Sequence, residues 1–186
     1  MIFAREFART AGGLLWVWGL TSFGGAKTIG AVGTEEQKNR WLRPMAQGKL
    51  RVSLSMTEPD GGTDVLGAMK THAEKVDGGW KLNGAKMWTT GAKAADRLLV
   101  LARTDKNAEK KHHGLTMFFV DAKSPGITAS LLPKLGMRAM GSCPATTVSN
   151  AWASGTRPAS PSSTSTSSFS FGSRSITRAT RSARDE

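Results

Sequence analysis

Short strand-like runs separated by turn residues fill residues 49–135, and they restrict the possible folds of this chain more than any other feature. The run LRVSLSM alternates apolar with small or polar side chains. The runs GAMKTHAEKV and GWKLNGAKMW flank Asp77-Gly78-Gly79, which favours a hairpin because glycine adopts positive φ without steric cost. The runs RLLVLART, GLTMFFVDA and GITASLLP follow. Strands this short and this closely spaced predict an all-β barrel or sandwich.

The residues before this region predict helices. Thr34 and Gln37 form a capping box at the head of EEQKNRWLRPMAQG, in which each residue satisfies a backbone amide of the other. Pro44 is expected to kink or end this helix, and Gly48 follows as a stop signal.

The run GGLLWVWGL near the N-terminus allows two interpretations. Arg5 and Arg9 precede it, so it resembles the apolar part of a secretory signal or anchor. The other interpretation is a buried helix of a soluble protein, which Glu6 in the would-be basic region favours. A membrane span is disfavoured because Thr21-Ser22 and Lys27 interrupt the apolar run.

The composition changes after residue 150. Ser or Thr occupies 16 of the 36 positions in 151–186, and the basic residues change from 13 Lys and 8 Arg before this segment to 5 Arg and no Lys within it. Such a segment buries too little apolar surface to offset its ordering entropy, so we expect disorder. It is either a natural low-complexity tail or a translation in a shifted reading frame, and the abrupt change in residue usage favours the shifted frame.

The formal charge of +12 suggests acidic partners such as nucleic acid, anionic lipid or a phosphate-bearing ligand. The basic residues are spread out and no nucleic-acid-binding signature accompanies them, so we expect neither nucleic acid nor a membrane as partner. A basic β-domain that binds nucleic acid or anionic lipid through Lys106–Lys111 and the Arg-rich tail remains the alternative. The single Cys143 excludes an internal disulfide and a multi-cysteine metal site, and it fits a cytoplasmic location.

The stretch SMTEPDGGTDV at 55–65 combines turn residues with hydroxyls. Gly61 and Gly62 allow the backbone to approach a planar or anionic ligand closely. Thr57 and Thr63 add hydroxyls that can donate to ring or phosphate oxygens. By itself this pattern is more often only a surface turn.

A second stretch, KMWTTGA at 86–92, places Trp88 beside Thr89 and Thr90 at the end of a predicted strand. An indole can cover one face of an aromatic ring system while Thr90 bonds to its edge. Taken singly, Trp88 fits a core position and the two threonines fit a strand surface equally well.

Together, in this order and spacing, the two stretches resemble the TEPGAGSD-like loop and the WITNG-like segment of the acyl-CoA dehydrogenase family. GTEEQKNRWLRPMAQGKL is similar to the last helix before the family's central β-domain, and KLGMRAMGS at 134–142 is similar to the exit from it. The resemblance therefore covers about residues 12–142 and implies FAD as cofactor.

The resemblance also implies roles for individual residues. Leu54, Met56 and Thr57 would contact the isoalloxazine ring of FAD. Gly62 and Thr63 would approach its pyrophosphate, with Thr63 also near the acyl-CoA. The remaining contacts, with Thr90 close to the flavin N5 edge, would come from Trp88, Thr89 and Thr90.

The chain departs from the family pattern at several positions. Asp60 and Gly61 stand where Gly-Ala is usual, which puts a negative charge near the expected pyrophosphate. Thr63 replaces Ser and keeps the hydroxyl. Thr89-Thr90-Gly91-Ala92 stands for Ile-Thr-Asn-Gly, so an amide side chain is lost.

The family oxidises acyl-CoA thioesters to trans-2-enoyl-CoA, and the resemblance implies acyl-CoA as substrate, electron-transfer flavoprotein as partner and a homo-oligomeric state. The base that removes the α-proton belongs to the family's C-terminal helical domain, which we do not find here. Glu58 lies in the loop itself and Glu109 lies in a charged connector, so we assign no catalytic base. We expect a truncated, frame-shifted member that exposes apolar surface and is inactive alone.

These inferences define an α+β chain with three parts. Residues 1–48 form a partial N-terminal helical domain. Residues 49–142 form the central β-domain that faces FAD and acyl-CoA. Residues 143–186 form a disordered, low-complexity C-terminal tail.

Overall fold

The computed structural model describes residues 2–110, 112–133, 135, 142–143, 146–154 and 167–170. Its helices come first: α1 (Ile2–Gly19), a π-helical segment (Leu20–Ala26), α2 (Lys27–Val32) and α3 (Glu35–Ala46). The strands follow as β1 (Val52–Ser55), β2 (His72–Val76), β3 (Gly79–Lys86), β4 (Thr89–Thr90), β5 (Arg97–Arg103), β6 (Leu115–Asp121), β7 (Ile127–Ala129), β8 (Ser142–Cys143), β9 (Thr146–Ser154) and β10 (Ser167–Ser170). A 3₁₀ turn at Ala92–Ala94 lies between β4 and β5. The predicted succession of helices and β-domain is confirmed.

The capping box predicted for α3 is confirmed. Gln37 N donates to Thr34 Oγ1 at 3.2 Å, and Thr34 N donates to Gln37 Oε1 at 2.9 Å. Pro44 lies inside the helix, two residues before its end, and its carbonyl accepts from Lys49 N at 2.9 Å. The proline removes one amide donor, but the helix needs only two further residues before Gly48 turns the chain with φ 68.

The α1 helix covers the run GGLLWVWGL up to Gly19, and no residue of α1 is buried. The last residue of the run, Leu20, begins the π-helical segment and is buried. Leu14 and Trp16 are 59% and 58% exposed, so the expectation of a buried helix is wrong for this chain, while the expected exposure of apolar surface is confirmed. The helix departs from helical geometry at Ala11 and packs mainly against the π-helical segment. In the described part of the chain, no helix combines the length and the apolar character needed to cross a membrane.

Eight of the described strands form one sheet in the order β10-β6-β5-β2-β3-β9-β7, with β1 parallel to β5. The Asp77-Gly78 turn joins β2 and β3 as predicted, with Gly78 at φ 79. The lysine-rich connector joins β5 and β6, which pair antiparallel as a hairpin. Within the described residues β10 and β7 lie at opposite ends of this order, so the sheet does not close into a barrel.

Part of the predicted tail is strand. β9 pairs antiparallel with β3 from Lys86↔Thr146 to Gly79↔Ser154, and β10 pairs with β6. The β-branched run Thr146-Thr147-Val148 suits a sheet, and Val148 is fully buried. The β-sheet therefore includes residues beyond 142, and the rest of the tail lies outside the described residues.

The sheet has a core on each face. Along β5, Leu98 and Val100 point into one cluster of buried side chains, and Leu99 and Leu101 point into the other. The alternation follows from the two-residue period of a strand. The first cluster is closed by β3 and β9, and the second by the helices.

The helices pack on the second cluster through Trp41 of α3. Its indole meets Phe119 of β6 edge to face at 5.3 Å between ring centroids. The guanidinium groups of Arg40 and Arg97 lie 4.5 and 4.9 Å from the Trp41 ring centroid, within cation–π range. These contacts fix the helical part against β5 and β6.

The π-helical segment approaches β1 closely because it carries glycine at the contact. A Cβ added to Gly25 would lie 3.0 Å from Val52 Cβ, on a stiff β-branched side chain. A methyl group here would require Val52 or the helix to shift by a few tenths of an ångström.

We expect Gly25→Ala to lower the free energy of unfolding by about 1–3 kcal/mol through overpacking against Val52. Urea unfolding measures this change. Gly30→Ala in α2 is the matched control, since its Cβ would meet nothing within 4 Å and alanine favours a helix. Equal effects of the two substitutions would contradict the close approach.

Candidate functional site

The end of β1 delivers the first candidate stretch to the surface. Leu54 is half-buried, Ser55 is fully buried, and the strand then ends so that Met56 emerges with 36% exposure. Thr57 is half-buried. The predicted ring contacts Leu54, Met56 and Thr57 thus lie where a buried strand reaches solvent.

Two hydrogen bonds bring the second stretch beside the first. Met87 N donates to Thr57 O at 2.7 Å. Ser53 Oγ donates to Thr90 O at 2.7 Å across 37 positions of sequence. The two stretches therefore lie side by side. Neither sequence motif, taken alone, indicates that the other stretch is its neighbour.

A buried ion pair between Glu58 and Lys86 makes a third link, which the sequence analysis did not identify. Lys86 Nζ donates to Glu58 Oε1 at 2.8 Å and to Met56 O at 3.1 Å. Glu58 also accepts from the amides of Lys70 and Thr71, at 2.6 and 3.0 Å. The side chain of Lys86 has no exposed surface and that of Glu58 is 5% exposed. The sequence carries one signal for the burial of Lys86, although none for its partner: Lys86 lies four residues after Leu82, a spacing that favours the same face of a strand.

Both side chains of the pair have a lowered pKa, for different reasons. Burial opposes the negative charge of Glu58, but hydrogen bonds from Lys86 and the neighbouring amides outweigh it and lower the pKa of the carboxyl below 4.5. Burial lowers the pKa of Lys86, and Glu58 offsets part of that effect. Because a buried charge left without its partner costs about 3–5 kcal/mol, the two side chains depend on each other.

Trp88 presents its ring to solvent through an unusual backbone. Its φ is 59, the only positive value among the described residues other than glycine, and the residue is 52% exposed. Such a conformation costs about 1–3 kcal/mol in a non-glycine residue and persists only where neighbours impose it. The sheet contacts on either side, Lys86 with β9 and Thr89 with β8, hold it.

The two threonines after Trp88 differ in accessibility. Thr90 is half-buried, whereas Thr89 is fully buried and its hydroxyl has no hydrogen-bond partner among the described residues. Thr89 therefore exposes no surface to a ligand in this structure. Gly91 follows with φ 76.

The predicted pyrophosphate contacts Gly62 and Thr63 are both exposed, and a Cβ on Gly62 would meet nothing within 4 Å. Gly61 is buried instead and packs against Ala68, so the first glycine shapes the loop. Asp60 forms an exposed ion pair with Lys70, which offsets the negative charge that the sequence places in this loop. No described contact links Gly62 or Thr63 to the Trp88 stretch.

An apolar pocket of about 390 Å³ lies where the helices meet β1. Leu54 forms its strand side, and a Cβ on Gly24 would lie 2.7 Å from Leu54 Cδ1. The helical side is formed by Ala4, Gly12, Leu15, Trp16, Trp18, Gly19, Leu20, Phe23 and Gly24. The pocket suits an apolar group, and its strand residue Leu54 precedes Met56 by two positions.

Family models agree with this arrangement. The model for the acyl-CoA dehydrogenase N-terminal domain matches residues 1–49, and the model for the middle domain matches residues 53–148. The chain belongs to the acyl-CoA dehydrogenase family. The middle-domain match extends into β9, in agreement with its place in the sheet.

Curated relatives support the same assignment. The chain is 39% identical to the mitochondrial 2-methylacyl-CoA dehydrogenase of Solanum tuberosum and 40% identical to the mitochondrial isovaleryl-CoA dehydrogenase of Arabidopsis thaliana. Each match covers 75% of this chain, and 33% and 34% of the respective relative. The chain thus spans about a third of the length of these relatives.

Solved structures of the family superpose on the described fold. A glutaryl-CoA dehydrogenase in complex with glutaryl-CoA gives a TM-score of 0.76 at 33% identity, covering 82% of this chain and 38% of that one. Butyryl-CoA dehydrogenase from Megasphaera elsdenii gives 0.73 at 32% identity, covering 80% and 38%. A glutaryl-CoA dehydrogenase of Mycobacterium smegmatis, with TM-score 0.68, was solved with FADH2, the reduced form of the family's cofactor FAD.

The residues present fit a flavin. The exposed side chains of Trp88 and Met56 are apolar and suit a planar ring, and the half-buried Thr57 and Thr90 carry hydroxyls that can bond to polar ring atoms. Gly91 stands where the family pattern has Asn, and both residues tolerate the positive φ found there. This departure therefore preserves the backbone conformation while it removes the amide side chain.

We expect the stability of the chain to fall as pH decreases from 4.5 through the lowered pKa of Glu58, because the folded carboxylate resists protonation more than the unfolded one. Glu58→Gln should show a shallower loss over this range. Urea unfolding at a series of pH values measures it, with Glu109→Gln in the exposed connector as control. Identical slopes for Glu58→Gln and the unaltered chain would contradict the assignment.

Proposed function

We propose that this chain binds FAD across Met56–Thr57 and Trp88–Thr90 and forms the flavin-facing part of an acyl-CoA dehydrogenase site. The observation that carries the proposal is the 2.7 Å hydrogen bond from Met87 N to Thr57 O, which joins the two stretches into one surface. Trp88, held half-exposed in a strained conformation, supplies a face for the flavin ring. Bound FAD would accept the hydride that leaves the β-carbon of the acyl group.

The substrate is an acyl-CoA thioester in this proposal. Relatives named for 2-methylacyl-, isovaleryl- and glutaryl-CoA support that class. The pocket lined by Leu54 would take the acyl group, since its lining is apolar and Leu54 is itself an expected contact of the flavin ring. Exposed Gly62 and Thr63 would approach the pyrophosphate of FAD, and Thr63 the acyl-CoA as well.

The described loop 55–65 does not supply a catalytic base in this proposal. Each carboxylate of the 55–65 loop is already engaged: Glu58 with Lys86, Asp60 with Lys70, and Asp64 with the amide of Gly67 at 2.8 Å. A base must be able to reach the α-proton of the substrate. We therefore expect flavin binding without turnover of acyl-CoA by the chain alone.

The remaining assignments rest on the family. Electron-transfer flavoprotein would accept the electrons, and the chain would assemble with further copies. The lone cysteine fits a cytoplasmic location.

Incubation with FAD followed by gel filtration tests the binding proposal. We expect the eluted protein to retain flavin absorbance at close to one equivalent per chain. Addition of butyryl-CoA or isovaleryl-CoA under anaerobic conditions should then leave the absorbance unchanged. A folded but colourless protein would overturn the binding proposal, and bleaching by either thioester would overturn the proposed lack of a base.

We expect Trp88→Ala to weaken FAD binding about tenfold, because stacking and burial of an aromatic ring contribute about 1.5 kcal/mol. Fluorescence titration of FAD measures the affinity. The control is Ile2→Ala, which also removes an exposed apolar side chain but lies on α1, outside the proposed site, and it should leave the affinity unchanged. Equal affinities of the Trp88 variant and the control would exclude the ring as a flavin contact.

A further inference from the structure

The Glu58–Lys86 pair lies between the two stretches that form the proposed flavin surface. Lys86 precedes Met87, whose amide binds Thr57 O, and the Lys86 ammonium binds Met56 O and the Glu58 carboxylate on either side of Thr57. Three consecutive residues of the loop are thus held from one end of β3. The Lys86 ammonium donates to Met56 and Glu58, and the amide of Met87 donates to Thr57.

The carboxylate extends this arrangement to a third segment. Its oxygens accept from the consecutive amides of Lys70 and Thr71, directly before β2. The chain therefore leaves the sheet after β1 and comes back beside the same carboxylate just before β2. Glu58 thus connects the segment after β1 and the segment before β2 to Lys86, at the end of the strand that precedes Trp88.

Stability alone does not account for a pair of this kind. Desolvating two charges costs as much as their attraction returns in many proteins, and apolar substitutes are often no less stable. A buried ion pair does impose a defined geometry, since the ammonium and the carboxylate must both be satisfied by particular groups. The groups satisfied here are backbone atoms of the loop.

We propose that Glu58 and Lys86 are positioning residues that set the register between Met56–Thr57 and Trp88–Thr90, and thereby the spacing of the flavin surface. The inference rests on the proposed function, because it assigns the pair a part in the same site. Neither side chain touches the flavin, since both are buried.

The decisive variant neutralises the pair while leaving the site residues in place. Lys86→Met alone leaves a buried carboxylate without its partner, so it is expected to lose stability. Glu58→Gln combined with Lys86→Met removes both charges, and we expect it to recover most of that stability. FAD affinity of this neutral pair should stay about tenfold below that of the unaltered chain, the loss expected for one charged hydrogen bond.

A second measurement does not require FAD. Amide hydrogen exchange of Met87, read by NMR, reports the bond to Thr57 O directly. We expect exchange about tenfold faster in the neutral pair than in the unaltered chain when both are compared at equal global stability. If the unaltered chain binds no FAD, the proposed function fails, and the exchange rate still decides whether the pair sets the register.

The Arg97–Asp121 pair serves as matched control. It joins β5 to β6 at 3.4 Å, with side chains that are 12% and 18% exposed, and both of its residues lie outside 55–65 and 86–92 in the sequence. Arg97→Met combined with Asp121→Asn should change stability without changing FAD affinity at equal stability. Two outcomes for the Glu58→Gln/Lys86→Met variant would overturn the proposal. One is an amide exchange rate of Met87 equal to that of the unaltered chain, and the other is an equal FAD affinity once stability is restored.

Discussion

The burial of β5 and β6 on both faces is the constraint on which the rest of the fold depends. Alternate residues of these strands point into two separate cores, so each face must be covered by something else. The helices cover one face through Trp41, and β3 and β9 close the other. The parallel pairing of β1 with β5 then places the end of β1 at the boundary between helices and sheet, and the loop that follows inherits this position.

Local patterns in the sequence predicted much of this arrangement. The Asp77-Gly78 hairpin and the Thr34 capping box depend on residues a few positions apart, and the sequence shows them directly. The Glu58–Lys86 contact joins residues 28 positions apart, and no local period connects them. The strand at β9 was missed because its polar composition suggests a tail, and Val148 is buried where β9 pairs with β3 and β7.

The candidate site was predictable as two stretches but not as one surface. Family resemblance identified Thr57 and Trp88 from their neighbours in sequence. The buried state of Thr89 and the pairing of Asp60 with Lys70 depend on which residues the fold brings near, so neither followed from the motif. The structure adds the backbone hydrogen bond from Met87 to Thr57 and the buried Glu58–Lys86 pair, which hold the two stretches next to each other.

Trp88 carries a consequence for how such a domain would respond to selection. A glycine or asparagine at this position would adopt the left-handed backbone with less strain and would remove a half-exposed indole from water. A library sorted only for thermal tolerance or expression should therefore discard the tryptophan early, whereas sorting for retained yellow colour should keep it. Under the proposed function, resistance to heat and the capacity to hold a cofactor are opposed at this single residue.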